Sequence, residues 1–183
     1  GLSLPKQTET GWVQLAACAL GALGILLAQP LAVIVGLGLA GVLALVQIIS
    51  WKPLAVRGNA LLWILYVGYA SLGIGLLMAA AAQAGLDLPR ALPVHTIAMA
   101  GFSVLIIGMV TRTALGHTGR ALAADRTIRI SYWLMLLAVV LRITAIVTTP
   151  TTAALMHMAG AAWIASLLLY LWQFTPILIR PRN

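Results

Sequence analysis

The sequence contains very few charged residues, and nearly all of those are basic. Only 8% of its 183 residues are charged, and just three residues are acidic. A soluble domain carries about a quarter charged residues, so this chain lacks the side chains that would cover a globule in water. Soluble enzymes are therefore excluded as a class. The net charge of +8 does not indicate nucleic acid, because the basic residues form no arm or stripe and lie between apolar runs.

Cysteine is almost absent as well. The single cysteine, Cys18, lies inside an apolar stretch, so no disulfide forms within the chain and a buried thiol is expected. The sequence also has no Cys-x-x-Cys-His haem-attachment motif, no Gly-rich phosphate loop and no Ser–His–Asp set. Any haem is therefore held without a covalent link to cysteine.

Long apolar runs make up most of the chain. The sequence is 62% hydrophobic, with a mean hydropathy of +1.06. Each run is near the roughly 20 residues that a helix needs to cross about 30 Å of hydrocarbon, and no alternating pattern typical of a β-barrel occurs. The sequence predicts an all-α integral membrane protein, a single six-helix bundle with spans at about 12–28, 31–51, 60–84, 94–115, 130–147 and 152–174.

Proline and glycine mark the boundaries of these runs. Pro30, Pro93 and Pro150 stand at or just before predicted helix starts, where the missing N–H of proline has little cost. Gly85 and Gly116 are predicted to end their helices in a left-handed conformation. These signals agree with six separate spans.

The basic residues predict the orientation of the six spans. One side of the membrane receives only Arg90, whereas the other side receives Lys6, Lys52, Arg57, Arg120, Arg126, Arg129, Arg180 and Arg182. Loops rich in Lys and Arg stay in the cytoplasm, so both termini are predicted to be cytoplasmic. The same loops are expected to contact anionic lipid headgroups.

Small residues recur at a spacing that allows helices to pack closely. Lipid removes most of the hydrophobic drive between helices, so contacts through small residues contribute more in a membrane than in water. The pairs with this spacing are Gly24 and Ala28, Gly36 and Ala40, Ser71 and Gly75, and Ala162 and Ser166. They favour a packed bundle without identifying which helices meet.

Arg142 lies well inside the fifth apolar run. A charge at mid-membrane costs at least about 2.5–3.5 kcal/mol, so it usually faces a partner or a cavity. No acidic residue occurs in any predicted span, so no counter-ion is evident in this chain. Two interpretations remain open. The side chain extends to the outer interface, or it binds an anion such as a haem propionate.

Two histidines are predicted at similar depth in the outer half of the bilayer. His95 opens the fourth span, and His157 lies near the start of the sixth span. Imidazoles from two helices can ligate one metal or haem iron. Met99 follows His95 by four residues and shares its helix face, and a thioether beside an imidazole suits copper. Hydrogen bonding between helices explains the two histidines equally well.

His117 lies at the opposite end of the fourth span. The 22 residues from His95 to His117 cover about 33 Å of helix, so these two residues cannot bind one metal. Arg112, Arg120, hydroxyls and glycine N–H groups surround His117 in the sequence. This chemistry fits an anionic group, such as a haem propionate or a lipid phosphate. A helix end followed by topology-setting charges is the other interpretation.

The segment VHTIAMAGFSVLIIGMVTRTALGHTGRAL (94–122) resembles the signature of the NnrS family. The resemblance extends through LLWILYVGYASLGIGLL (61–77) and LWQFTPILIRPR (171–182). Its most specific part is TR-x-x-x-GHTGR. His95, Arg112, His117 and Arg120 match the motif one by one, whereas the roles assigned to His157 and Arg142 rest on depth and chemistry.

The resemblance implies a bacterial inner-membrane protein that binds haem b and copper. The family is linked to nitric oxide stress and denitrification, so nitric oxide is the implied ligand. Members of the family are usually longer, and this chain resembles their second half. We therefore expect either a second membrane chain that supplies the remaining spans or a shorter form with an incomplete metal site.

These observations together predict a haem-binding and copper-binding protein of the nitric oxide response or of denitrification. Binding is favoured over turnover, because Glu9, Asp87 and Asp125 lie outside the spans and no general acid or base is evident. Whether the chain is an enzyme stays open. The alternative is a cofactor-free structural subunit of a larger respiratory or denitrification membrane complex. A transporter is disfavoured by the lack of paired acidic residues and of an inverted repeat.

Overall fold

Six long helices make up the protein, whose computed structural model describes residues 8–148 and 152–179. Within these residues no strand occurs, and each of the six helices is long and apolar enough to cross a membrane. The predicted all-α, six-helix architecture is therefore confirmed. The helices are α1 (Thr8–Leu26), α2 (Pro30–Ser50), α3 (Ala60–Gln83), α4 (Ala91–His117), α5 (Arg126–Val147) and α6 (Thr152–Ile179), with a short 3₁₀ turn (Pro53–Val56) after α2.

Side-chain caps fix two of the helix starts. Asn59 Oδ1 accepts a hydrogen bond from the backbone N–H of Leu61 at 3.1 Å, at the start of α3. Asp125 Oδ1 accepts one from the N–H of Ile128 at 2.9 Å, at the start of α5. Each cap satisfies one of the N–H groups that the first turn of a helix leaves without a partner.

Two helices end at a glycine with a positive φ. For α3 it is the predicted glycine, and for α4 it is a different one. Gly85 has a φ of +98° just after α3, as predicted. The prediction for Gly116 is wrong, because α4 continues through it to His117 and Gly119 takes the left-handed conformation, with a φ of +69°. Pro150 lies outside the described residues. Helix α4 ends where it does because the left-handed Gly119 lets the N–H of Arg120 donate to the carbonyl oxygen of Leu115 at 3.0 Å, which closes the last turn.

The helices pack mainly against their neighbours in the chain. Extensive contacts join α1 to α2, α2 to α3, α3 to α4, and α5 to α6. The α5–α6 pair is held to the other helices through α4, which touches both α5 and α6. A buried cluster between α3, α4, α5 and α6 includes Leu61, Ile64, Ile107, Tyr132 and Phe174. Helix α4 therefore lies at the centre of the contact network.

Small residues bring the helix backbones together, as their spacing indicated. A Cβ added to Gly36 on α2 would lie 2.3 Å from the backbone nitrogen of Gly21 on α1. Ser131 and Ser166 connect α5 and α6 by reciprocal bonds, since each hydroxyl donates to the other residue's carbonyl oxygen, at 2.9 and 2.7 Å. Close approach and polar side-chain bonds therefore hold these pairs where lipid gives little hydrophobic drive.

We predict that Gly36→Ala destabilises the contact between α1 and α2. The added methyl group must displace backbone atoms of Gly21, and such overpacking costs about 1–3 kcal/mol. The free energy of unfolding in detergent measures the effect. Gly11→Ala on α1 is the matched control, because no atom lies within 4 Å of its added Cβ. An equal response of the two variants would contradict this account of the packing.

Candidate functional site

Helix α4 is not a regular α-helix. Thr96–Ser103 forms a π-helix between α-helical segments at Ala91–His95 and Val104–His117. A π-helix uses i→i+5 hydrogen bonds and often occurs at functional sites, where it changes the direction of side chains. Here, the hydroxyl of Ser103 donates to the carbonyl oxygen of Ala98 five residues earlier, at 3.2 Å. The irregular segment begins directly after His95.

The π-helical segment forms one wall of a cavity where α4, α5 and α6 meet. The cavity has a volume of about 380 Å³. We call it the His95 cavity, and its lining residues are His95, Ala98, Met99, Ser103, Arg142, Met156, Ala159, Gly160 and Trp163. Ala98, Met156 and Gly160 on its rim are exposed, so small molecules can reach the interior from outside the bundle.

His95 and Arg142 contact each other directly inside this cavity. Arg142 Nη2 lies 3.0 Å from His95 Nε2, and both side chains are half-buried. A guanidinium group has only donors and stays protonated, so His95 Nε2 must be the acceptor. The imidazole is therefore neutral and carries its proton on Nδ1. This bond uses the lone pair that Nε2 would offer to a metal.

The rest of the Arg142 guanidinium group is poorly satisfied. Its Nε is buried and has no hydrogen-bond partner among the described residues. A buried donor without a partner costs about 1–3 kcal/mol. None of the three acidic residues lines this cavity. Glu9 lies on α1, and Asp87 lines another cavity together with Arg90. Asp125 caps the opposite end of α5 and accepts a hydrogen bond from Gln173. Among the described residues, Arg142 is thus a half-buried cation that hydrogen-bonds to an imidazole and not to a carboxylate.

Two methionine side chains also line the cavity, whereas His157, the second predicted metal ligand, does not. Met99 from α4 and Met156 from α6 line the same cavity as His95. His157, the neighbour of Met156, is exposed on α6 and does not line the cavity. Across residues 8–148 and 152–179, no three His, Cys, Asp or Glu side chains converge as a metal-ligand group.

The residues of the TR-x-x-x-GHTGR motif lie at the other end of α4. Arg112, His117 and Arg120 are all exposed, and His117 lies about 30 Å along the helix from His95. Arg112 lines a second cavity of about 570 Å³, together with Trp51, Tyr66, Tyr69 and hydrophobic residues of α3 and α4. The structure therefore separates the predicted site residues into two groups at opposite ends of the bundle.

Ser103 and Trp163 are parts of the His95 cavity that the sequence did not single out. Trp163 Nε1 lies 3.5 Å from Ser103 Oγ, across the gap between α6 and α4. The only available signal was a polar residue and a large aromatic within apolar runs, which is common in membrane helices. The π-helix could not be predicted either, because the hydrophobic pattern of the fourth apolar run does not distinguish it from an ordinary α-helix.

The bundle and its cavity define a multi-pass membrane protein with a polar, sulfur-lined site between three helices. A family model described as NnrS protein matches residues 2–182 of the chain. The chain belongs to the NnrS family. From its sequence, the chain was expected to resemble the second half of family members. The family model matches essentially the whole of this chain. Family membership makes it a membrane protein related to the nitric oxide response.

Two further comparisons returned no similar protein. No curated protein matches the chain, and neither does any solved structure.

We predict that Arg142→Leu stabilises the ligand-free protein by at least about 1 kcal/mol, because it removes a half-buried charge whose Nε is buried without a hydrogen-bond partner among the described residues. His95→Ala should do the opposite, since it leaves Arg142 without its hydrogen-bond acceptor. Thermal unfolding in detergent measures both effects, and Arg129→Leu, an exposed residue at the other end of α5, is the control. A loss of stability in Arg142→Leu as large as that in His95→Ala would mean that Arg142 has a structural role.

Proposed function

We propose that this protein binds a metal centre, copper or haem b, in the His95 cavity and uses it to bind nitric oxide. The protein would act in the nitric oxide response or in denitrification, in the bacterial inner membrane. One observation carries the proposal. His95, Met99 and Met156 come from two different helices and line one cavity that also contains the cationic Arg142.

The donor set fits copper. Imidazole nitrogen and thioether sulfur are ligands that bind Cu(I) well, and methionine sulfur binds few of the other metals common in proteins. The cavity volume of about 380 Å³ lies at the low end of the range for ligand sites, so the cavity has room for a metal ion together with a small ligand. Met99, Met156 and His95 would hold the copper once His95 Nε2 is released from its bond to Arg142.

A haem fits less completely. A haem with two histidine ligands, one from His95 and one from His157, is not supported, because His157 is exposed and does not line the cavity. His95 and a methionine sulfur would hold the haem iron, a pair of ligands that haem proteins use. Arg142 would then hold a propionate. We therefore favour copper over haem b as the metal centre of this cavity.

The site chemistry favours binding over turnover. When bound, the metal would supply an open coordination position for nitric oxide, an uncharged molecule that reaches the cavity from the lipid phase. The apolar walls, which include Ala98, Ala159 and Trp163, would limit the access of water. Among the described residues, no carboxylate lines the cavity, and the imidazole of His95, which could transfer a proton, is already bonded through Nε2 to Arg142.

The first experiment is a reduced-minus-oxidised absorption spectrum of the purified protein, with iron and copper quantified in the same sample. Stoichiometric copper, or iron with a b-type spectrum that responds to nitric oxide, supports the proposal. A featureless spectrum without either metal would contradict it. That result would favour the alternative, a cofactor-free subunit that works with a second membrane chain or within a larger complex.

We predict that His95→Ala reduces metal content at least tenfold, because it removes the only imidazole of the cavity. Met99→Leu should weaken copper binding and leave the fold intact, since it replaces the thioether with a side chain of similar volume. Metal analysis after dialysis against a weak chelator gives the readout. His157→Ala and His117→Ala, both outside the cavity, are matched controls, and a loss of metal in either of them alone would relocate the site.

A further inference from the structure

We infer that Arg142 is a binding site for a small planar oxyanion, such as a carboxylate or nitrite, and that filling it frees His95 for metal binding. The anion-binding part stands on the described geometry alone. The coupling to metal rests on the proposed function. Three observations carry the inference: the unpartnered Nε of Arg142, its bond to His95, and the donors that line the cavity.

The charge and the hydrogen-bonding state of Arg142 call for an acceptor. Its Nε is buried without a partner, and its described neighbour is a neutral imidazole and not a carboxylate. The three acidic residues of the chain are Glu9, Asp87 and Asp125, and none of them lines the His95 cavity. A bound anion would supply both the missing charge and the missing acceptor.

The geometry of the guanidinium group selects a planar anion with two oxygens. Nε and Nη2 form an edge with parallel N–H groups, which matches a carboxylate or nitrite in a bidentate arrangement. Because Nε is covered by protein atoms and Nη2 bonds to His95, an anion takes this edge only as the contact between Arg142 and His95 opens. The indole N–H of Trp163 adds a donor, because its 3.5 Å contact with Ser103 Oγ is long enough for a closer acceptor to replace it. The cavity volume of about 380 Å³ admits an ion of a few atoms.

Occupation of Arg142 has a consequence for His95. The bond from Nη2 to His95 Nε2 uses the lone pair that a metal would need. In this proposal the anion takes the Nη2–H group that His95 now accepts, and the imidazole is then released to offer Nε2 to a metal. A soft cation and an oxyanion would therefore bind cooperatively. Because linkage is reciprocal, each would raise the affinity of the other by the same factor.

The first test measures anion binding to the metal-free protein in neutral-lipid nanodiscs. Titration with sodium acetate or sodium nitrite should raise the melting temperature in a saturable way, against sodium chloride at matched ionic strength. Arg142→Leu should weaken this response at least tenfold, and Arg142→Lys should retain part of it. Arg129→Leu, which does not alter the cavity, should respond as the unmodified protein does.

Three results would overturn the anion site. One is the absence of a saturable shift in the unmodified protein, and another is an equal shift in Arg142→Leu. The third is a response to inorganic phosphate in place of acetate and nitrite, because a tetrahedral ion would indicate a lipid headgroup site at the cavity rim. Each of these outcomes is independent of whether the protein binds metal.

The second test measures coupling through the Cu(I) affinity with and without saturating acetate, which Cu(I) does not reduce. We expect acetate to tighten Cu(I) binding at least fivefold in the unmodified protein and to have no effect in Arg142→Leu. Cu(I) affinity that is indifferent to acetate would overturn the coupling. Absence of Cu(I) binding in every sample would instead overturn the proposed copper site, and the acetate titration would still decide the role of Arg142.

Discussion

The backbone of each span must satisfy its own hydrogen bonds, because hydrocarbon offers no partner for an exposed N–H or C=O group. The whole protein follows this constraint, and α4 shows how a departure is compensated. Where the helix changes to the π form, the hydroxyl of Thr96 donates to Leu92 O at 2.8 Å and that of Ser103 donates to Ala98 O. Polar side chains thus support the irregular segment that forms the wall of the His95 cavity.

Few side chains in the spans are polar, and the structure brings several of them together where α4, α5 and α6 meet. The hydroxyl groups of Ser131 on α5 and Ser166 on α6 both have hydrogen-bond partners, since each donates to the other residue's carbonyl oxygen. The hydrogen bonding of Arg142 is incomplete, because its Nε has no partner among the described residues. An unsatisfied cation beside an accessible cavity is costly in a membrane, and such a cost is characteristic of sites that bind a ligand.

The two ends of α4 carry different chemistry. The His95 end brings imidazole, sulfur and guanidinium groups together between helices. The His117 end, with Arg112 and Arg120, presents exposed basic groups, and Arg112 borders the aromatic pair of Trp51 and Tyr69, which stack with ring centroids 5.3 Å apart. The residues of the TR-x-x-x-GHTGR motif, predicted from the sequence to bind an anionic group, therefore lie away from the candidate metal site.

The sequence by itself determined the six helices, since each apolar run had the length that the bilayer requires. It also placed His95 and Arg142 at one end of the bundle, because depth follows from a count along a helix. Only the tertiary structure decided that these two residues bond to each other, that Met156 rather than His157 enters the cavity, and that Gly119 rather than Gly116 ends α4. The reason is that these features depend on the rotation of each helix about its axis and on the π-helical segment. Hydropathy sets the position of a residue along the membrane normal, whereas packing against neighbouring helices sets the direction in which its side chain points.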